Sequence, residues 1–90
     1  MSRAFTNEDA GGGPPRRDYG LPARDDPSFD ALAAAALLEA ARDGETASAE
    51  VATGYYWGEP KLHEHVGRIL ERAIADGDDR LEQLARRFLR

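Results

Sequence analysis

The sequence DPSFDALAAAALLEAARDG, residues 26–44, decides the fold class of this chain. Its apolar side chains recur at spacings of three and four residues, which is typical of one face of an α-helix. The face predicted to be buried consists of Phe29, Leu32, Ala33, Ala36, Leu37 and Ala40. Asp26 is the predicted N-cap, Pro27 suits the first turn and Gly44 is the predicted C-cap. The many alanines favour a helix that a second helix can approach closely.

A shorter helix is predicted to follow. It starts after Thr46 or Ser48, and it ends at Gly54 or continues to Trp57. Because they recur at a spacing of four residues, the side chains predicted to be buried are Ala47, Val51 and Tyr55.

Two more helices are predicted in the second half of the chain. One opens at Glu59-Pro60 and ends at Asp76-Gly77, with a buried face of Leu62, Val66, Ile69, Leu70 and Ala73. The last opens with Asp79 and Glu82 at the spacing of a capping box, with a buried face of Leu81, Leu84, Ala85, Phe88 and Leu89. Acid-before-base pairs four residues apart are predicted on the solvent faces, namely Glu64 with Arg68 and Glu82 with Arg86.

These segments predict an all-α fold, because none of them shows the sustained alternation of a strand and short connections favour helical hairpins. We expect a small bundle of three longer helices and one short helix over residues 26–90. Residues 1–25 are predicted to be a disordered tail rich in glycine and proline, since GGGPP at 11–15 and the scarcity of large apolar residues oppose regular structure.

The bulk composition excludes several classes of function. The chain has 90 residues, no cysteine and a net charge of −5, so disulfides are excluded and binding to duplex DNA is not expected. The longest apolar run, residues 31–38, has eight residues and is too short to span a membrane. There is no apolar segment of a secretory signal, so we expect a soluble cytoplasmic protein. A chain this short buries a modest core, which makes a homo-oligomer or a protein partner plausible.

No catalytic set is visible in the sequence, and we predict that the chain is not an enzyme. Its serines, Ser2, Ser28 and Ser48, are far in sequence from the two histidines. His63 and His65 are two residues apart, which separates them by about 200° around a helix. A metal site is therefore not predicted, and both histidines are expected at the surface.

The aromatic run GYYWGEP, residues 54–60, is the strongest candidate for a binding surface. Successive helical residues are about 100° apart, so the three aromatic side chains cannot all face one core. We predict that Tyr55 is buried, that Trp57 covers the end of the bundle, and that Tyr56 with the exposed edge of Trp57 binds a protein partner. Phe5 and Tyr19 are predicted as further partner-binding anchors in the tail. In the alternative, the run serves packing alone and the tail only solubilises the chain.

Asp43, Glu45 and Glu50 surround the turn between the first two helices. Acids near helix N-termini complement the helix dipole, which is one interpretation. In the other, they form an acidic tip that holds Mg²⁺ together with oxygens from a partner; Mg²⁺ is often held by only one or two protein carboxylates. No cofactor is otherwise predicted.

Two segments give a resemblance to a known family. The opening MSRAFTNEDA with its Gly/Pro-rich linker, and EAARDGETASAEVATGYY at 39–56, resemble bacterial GreA/GreB-type transcription elongation factors. In that family a helical hairpin carries tip acids into RNA polymerase and assists transcript cleavage through Mg²⁺. Glu45 corresponds to the first tip acid and Ala49-Glu50 to an Ala-Glu step, whereas the second tip acid falls near Ser48. The β-rich docking domain of the family has no counterpart here.

The sequence thus predicts a small, non-catalytic helical interaction protein associated with the bacterial transcription machinery. Two alternatives stay open. One is a Gre-like factor that assists RNA polymerase through the acidic tip, and the other is a self-associating structural bundle.

Overall fold

A computed structural model describes residues 19–90, and all regular structure within them is helical. The helices are α1 (Phe29–Arg42), α2 (Thr46–Thr53), α3 (His63–Asp76) and α4 (Asp79–Phe88), with a 3₁₀ turn at Pro60–Leu62 before α3. The predicted all-α bundle of three longer helices and one short helix is confirmed. Within the same range, none of the helices is both long and apolar enough to cross a membrane.

Helix α1 is the centre of the bundle and packs against each of the other three helices. Its buried side chains are Phe29, Ala33, Ala34, Ala36, Leu37, Leu38 and Ala40. The predicted face is therefore confirmed except at Leu32, which is 42% exposed. Because neighbours surround α1 on more than one side, its buried arc is wider than a single stripe and includes Ala34 and Leu38. Leu32 lies outside that arc.

The start of α1 differs from the prediction. Asp26 is not the N-cap, since the helix begins at Phe29 after Ser28. The Asp26 carboxylate instead accepts hydrogen bonds from the Ser28 backbone N–H at 2.8 Å and from the Ser28 hydroxyl at 2.6 Å. These bonds form a turn that leads into the helix. They favour the ionised carboxylate and so lower the pKa of Asp26.

Helix α2 ends at Gly54, whose φ of 77° is left-handed. The predicted buried face of α2 is wrong, because Ala47 is exposed and Val51 is 70% exposed. Ala49 and Thr53 are buried in their place. Tyr55 lies beyond the end of the helix, so its spacing from Val51 does not define a helical face. The Thr53 hydroxyl is satisfied locally, since it donates to the Ala49 carbonyl oxygen at 2.8 Å.

Helices α3 and α4 form a hairpin that closes at Gly77, as predicted, with φ of 71°. Their apolar faces meet in the core, where the fully or almost fully buried side chains are Leu62, Val66, Ala73, Leu84, Ala85 and Phe88. Both predicted surface ion pairs are confirmed, Glu64–Arg68 at 2.7 Å and Glu82–Arg86 at 3.0 Å.

The cap of α4 is Asp78, so the predicted capping box of Asp79 and Glu82 is wrong. One oxygen of the Asp78 carboxylate accepts the Leu81 backbone N–H at 3.1 Å. The other is 3.2 Å from the Arg42 guanidinium at the end of α1. Asp78 is the N-cap because Gly77, which has a left-handed φ, reverses the chain directly before it.

The segment at 19–25, assigned in the sequence to the tail, contacts the helices. Tyr19 packs against the core cluster. The Arg24 guanidinium donates to the Thr53 carbonyl oxygen at 3.1 Å and lies 5.3 Å from the centre of the Phe29 ring. The packed part of the chain therefore includes residues 19–25, which the sequence predicted to belong to the tail. The predicted anchor Phe5 lies outside the described residues.

Candidate functional site

A tight turn presents the aromatic run at one end of the bundle. The Glu59 backbone N–H donates to the Tyr56 carbonyl oxygen at 3.1 Å, and Gly58 has φ of 89°. A positive φ at the third position of a β-turn is the conformation that glycine adopts without strain. We call residues 55–59 the aromatic turn.

Tyr55 fixes the start of the aromatic turn. It is half-buried, its ring centre lies 6.3 Å from that of Phe29, and its hydroxyl donates to the Asp30 carboxylate at 2.8 Å. The hydrogen bond to Asp30, followed by partial burial and the negative charge of Asp30, raises the pKa of Tyr55, and the positive charge of Arg24 opposes this.

Trp57 fixes the middle of the aromatic turn. Its backbone N–H donates to the Glu50 carboxylate at 2.8 Å. Its half-buried ring meets the buried Phe88 ring edge-to-face with a centre separation of 4.9 Å. His63 packs on the same Phe88 ring, and its Nε2 lies 3.0 Å from the Gly58 carbonyl oxygen. Trp57 therefore covers the end of α4, as the sequence predicts.

Tyr56 is the residue that this scaffold exposes. Its side chain is 78% exposed, while both of its neighbours are half-buried and hydrogen-bonded. The Tyr56 side chain is thus exposed to solvent, while the contacts of Tyr55 and Trp57 fix the backbone on both sides of it. Such an arrangement can anchor a partner's surface, because a rigid aromatic loses little entropy when it is covered.

The three acids predicted at the tip do not converge. Asp43 and Glu45 are exposed at the connection between α1 and α2. Glu50 is half-buried and its carboxylate is bonded to the Trp57 backbone, so it belongs to the aromatic turn. In residues 19–90 no group of three or more histidine or acidic side chains could hold a metal ion. The predicted acidic tip is reduced to Asp43 and Glu45.

The two histidines lie in different surroundings, and both are half-buried and so remain partly exposed at the surface. His63 belongs to the aromatic end of the bundle. His65 lines a groove with Arg68 and Arg72, which sequence reasoning missed as a site. The spacing of these three residues along α3 is the signal that could have found it.

The predicted partner-binding residues differ in how far they are exposed. Tyr56 and Trp57 are both in the aromatic turn, one exposed and one half-buried. Tyr19 is half-buried and its ring packs against the core cluster. Tyr19 is therefore part of the packed bundle, and its role as a partner-binding anchor stays a prediction.

No family model matches the chain, and no curated protein or solved structure is significantly similar to it. The resemblance to the GreA/GreB-type factors therefore stays a prediction, neither supported nor contradicted.

Proposed function

We propose that this chain is a small, non-catalytic helical protein that binds a protein partner through the aromatic turn. The observation that carries the proposal is the 78% exposure of Tyr56 on a turn whose two flanking residues are held by hydrogen bonds and ring contacts. Tyrosine is enriched among the residues that dominate binding energy, because it combines a large apolar ring with a polar tip.

The expected partner surface follows from the chemistry of this side chain. A ring on a fixed turn fits an apolar pocket with a hydrogen-bonding group at its base, where the hydroxyl of Tyr56 would be satisfied. A second exposed apolar side chain, Val51, lies next to Glu50, whose carboxylate contacts the aromatic turn. We propose that Val51 belongs to the periphery of the same interface.

The bacterial transcription machinery is the proposed setting, and RNA polymerase is the first partner to test. The support for this choice is the resemblance of residues 1–10 and 39–56 to GreA/GreB-type factors. A cytoplasmic location is part of the same proposal.

The test compares partner recovery by three forms of the full chain. Tagged wild type, Tyr56→Ala and the matched control Ile74→Ala are used to capture proteins from native cells and, separately, purified RNA polymerase. Ile74 is 51% exposed on α3, outside the aromatic turn, so its truncation removes exposed apolar surface elsewhere on the bundle. Loss of a central aromatic anchor costs about 2 kcal/mol, so Tyr56→Ala should weaken binding roughly thirtyfold. Ile74→Ala should bind like wild type.

Two results would contradict the proposal. Equal recovery with wild type and Tyr56→Ala, with both chains folded by circular dichroism, would leave the aromatic turn with a packing role only. A concentration-dependent homo-oligomer in sedimentation that Tyr56→Ala dissociates would show that the surface binds a second copy of the chain, which is the self-associating alternative. Absence of RNA polymerase among otherwise Tyr56-dependent partners would reject only the transcription setting.

A further inference from the structure

A groove of about 300 Å³ lies between α1, α3 and α4. One edge is polar and consists of His65, Arg68 and Arg72, and the apolar lining comes from Ala31, Ile69 and Leu81. None of these residues belongs to the aromatic turn. A proposal about the groove is therefore independent of the proposed function.

The polar edge is set by helical spacing. His65, Arg68 and Arg72 are three and four residues apart on α3, so their side chains lie on one side of the helix. The Arg68 guanidinium donates to the Glu64 carboxylate at 2.7 Å. The Arg72 guanidinium makes no hydrogen bond or ion pair with other residues of the described range 19–90. Its planar set of donors can bind a carboxylate or phosphate through two parallel hydrogen bonds.

The groove offers a guanidinium to an anion although the whole chain carries a net charge of −5. Of its two arginines, Arg68 is paired with Glu64, which leaves Arg72 and one lining carboxylate, Asp76. Asp76 follows Arg72 by four residues, and this base-before-acid order is the weaker one for an ion pair on a helix. Positive charge on a concave surface concentrates anions locally.

The apolar lining indicates what kind of anion fits. Ile69 and Leu81 are half-buried and present aliphatic carbon to the groove, as does Ala31. A volume of about 300 Å³ is at the lower end of the range for pockets that bind small organic molecules. Inorganic anions would leave this lining uncovered.

We propose that the groove binds a small organic anion, with its carboxylate or phosphate on Arg72 and its apolar part against Ile69 and Leu81. Arg68 and His65 would add hydrogen-bond donors along the same edge.

The test is a titration of the ¹⁵N-labelled full chain followed by amide chemical shifts. Phenyl phosphate and benzoate probe the two anionic groups, benzyl alcohol is the neutral probe with the same ring, and inorganic phosphate is the anion without an apolar part. The variants are Arg72→Gln and the charge-matched control Arg87→Gln, an exposed residue of α4 outside the groove.

We expect saturable shifts at His65, Ile69 and Leu81 with phenyl phosphate, benzoate or both, and whichever binds identifies the anionic group. Removing one charged hydrogen-bonding partner should weaken binding about tenfold or more in Arg72→Gln and leave Arg87→Gln unchanged. Benzyl alcohol should give no saturable shift, and inorganic phosphate should bind more weakly than phenyl phosphate.

The proposal is overturned if neither organic anion gives saturable shifts in the groove, or if Arg72→Gln and Arg87→Gln bind alike. If benzyl alcohol binds as tightly as the organic anions, the anionic group contributes nothing to binding. If inorganic phosphate binds as tightly as phenyl phosphate, the apolar lining contributes nothing to binding. Amide dispersion in the same spectra establishes that each variant is folded.

Discussion

Arg24 shows how one exposed residue connects distant parts of the chain. Its guanidinium donates to the Thr53 carbonyl oxygen at 3.1 Å and lies against the rings of Phe29 and Tyr55. It can do so because Gly54 has no side chain; a Cβ at that position would meet the guanidinium. A glycine that ends a helix also makes room here for an aromatic–cation contact.

This contact is tested by a matched pair of glycine substitutions. Gly54 and Gly44 both have left-handed φ, at 77° and 72°, but a Cβ at Gly44 would meet no atom within 4 Å. We expect Gly44→Ala to lower the free energy of unfolding by about 1 kcal/mol through backbone strain alone. Gly54→Ala should cost more in a denaturant melt, and the excess should vanish in an Arg24→Ala background. Equal costs would show that the Arg24 contact contributes no stability.

Tyr55 gives a prediction with a defined dependence on pH. Its raised pKa means that the folded state favours the neutral phenol over the phenolate, relative to the ordinary pKa of 10.0. The hydrogen bond to Asp30 thus contributes fully below that value and is lost as the pH rises through the folded pKa. Tyr55→Phe should lower the free energy of unfolding by about 1 kcal/mol at neutral pH. Its difference from wild type should shrink in strongly alkaline buffer.

The matched control for this prediction is Tyr56→Phe, since the Tyr56 side chain is 78% exposed. That variant should unfold like wild type at every pH. If Tyr55→Phe is as stable as wild type at neutral pH, the hydrogen bond to Asp30 contributes no net stability relative to hydrogen bonds with water in the unfolded chain.

The start of α4 depends on one carboxylate. Asp78 caps the Leu81 backbone N–H and also pairs with Arg42, so it joins the α3–α4 hairpin to α1. Asp78→Ala should lower the free energy of unfolding by about 1 to 2 kcal/mol, most of it from the lost cap, because the ion pair is partly exposed. Asp79→Ala, one residue later in the first turn, should cost only a few tenths through the helix dipole. A larger cost for Asp79→Ala than for Asp78→Ala would make Asp79 the residue that caps α4.

How far the sequence predicts these elements depends on where their neighbours lie. Helices α3 and α4 bury one stripe each, and local periodicity predicted both stripes, the stop at Gly77 and the two surface ion pairs. Helix α2 was predicted poorly because its buried residues, Ala49 and Thr53, are small and carry little hydrophobic signal. The wide buried arc of α1 could not be predicted, since it depends on helices that surround it only in the folded chain.

The sequence predicts those parts of the candidate site that depend on local spacing and misses those that depend on tertiary contacts. The sequence predicted an exposed Tyr56 on the assumption that residues 55–57 are helical. Tyr56 is exposed, but the run lies in a turn beyond the end of α2. The sequence could not predict that Glu50 binds the Trp57 backbone, because that bond joins α2 to a turn through tertiary structure. The groove at Arg72 likewise needs Ala31 and Leu81 from two other helices. Sequence proximity alone suggested that Asp43, Glu45 and Glu50 form one tip. In the structure the Glu50 carboxylate binds the Trp57 backbone, and the role of the tip with Mg²⁺ stays a prediction.

A transcript-cleavage assay tests the alternative that the chain is a Gre-like factor. Asp43 and Glu45 are exposed between α1 and α2, whereas Glu50 is engaged elsewhere. With so few acids at the connection, we expect no stimulation of transcript cleavage when the chain is added to RNA polymerase and Mg²⁺. Stimulation that Glu45→Ala abolishes would establish the alternative and contradict our expectation.

Site-specific photocrosslinking in native cells shows whether Tyr56 contacts a protein partner. p-Benzoylphenylalanine replaces Tyr56 in one chain and Ile74 in another, both exposed positions on a folded bundle. We predict a discrete crosslinked product with a single protein from position 56 and none from position 74. No product from position 56, or the same products from both positions, would contradict the claim that the aromatic turn is a specific binding surface.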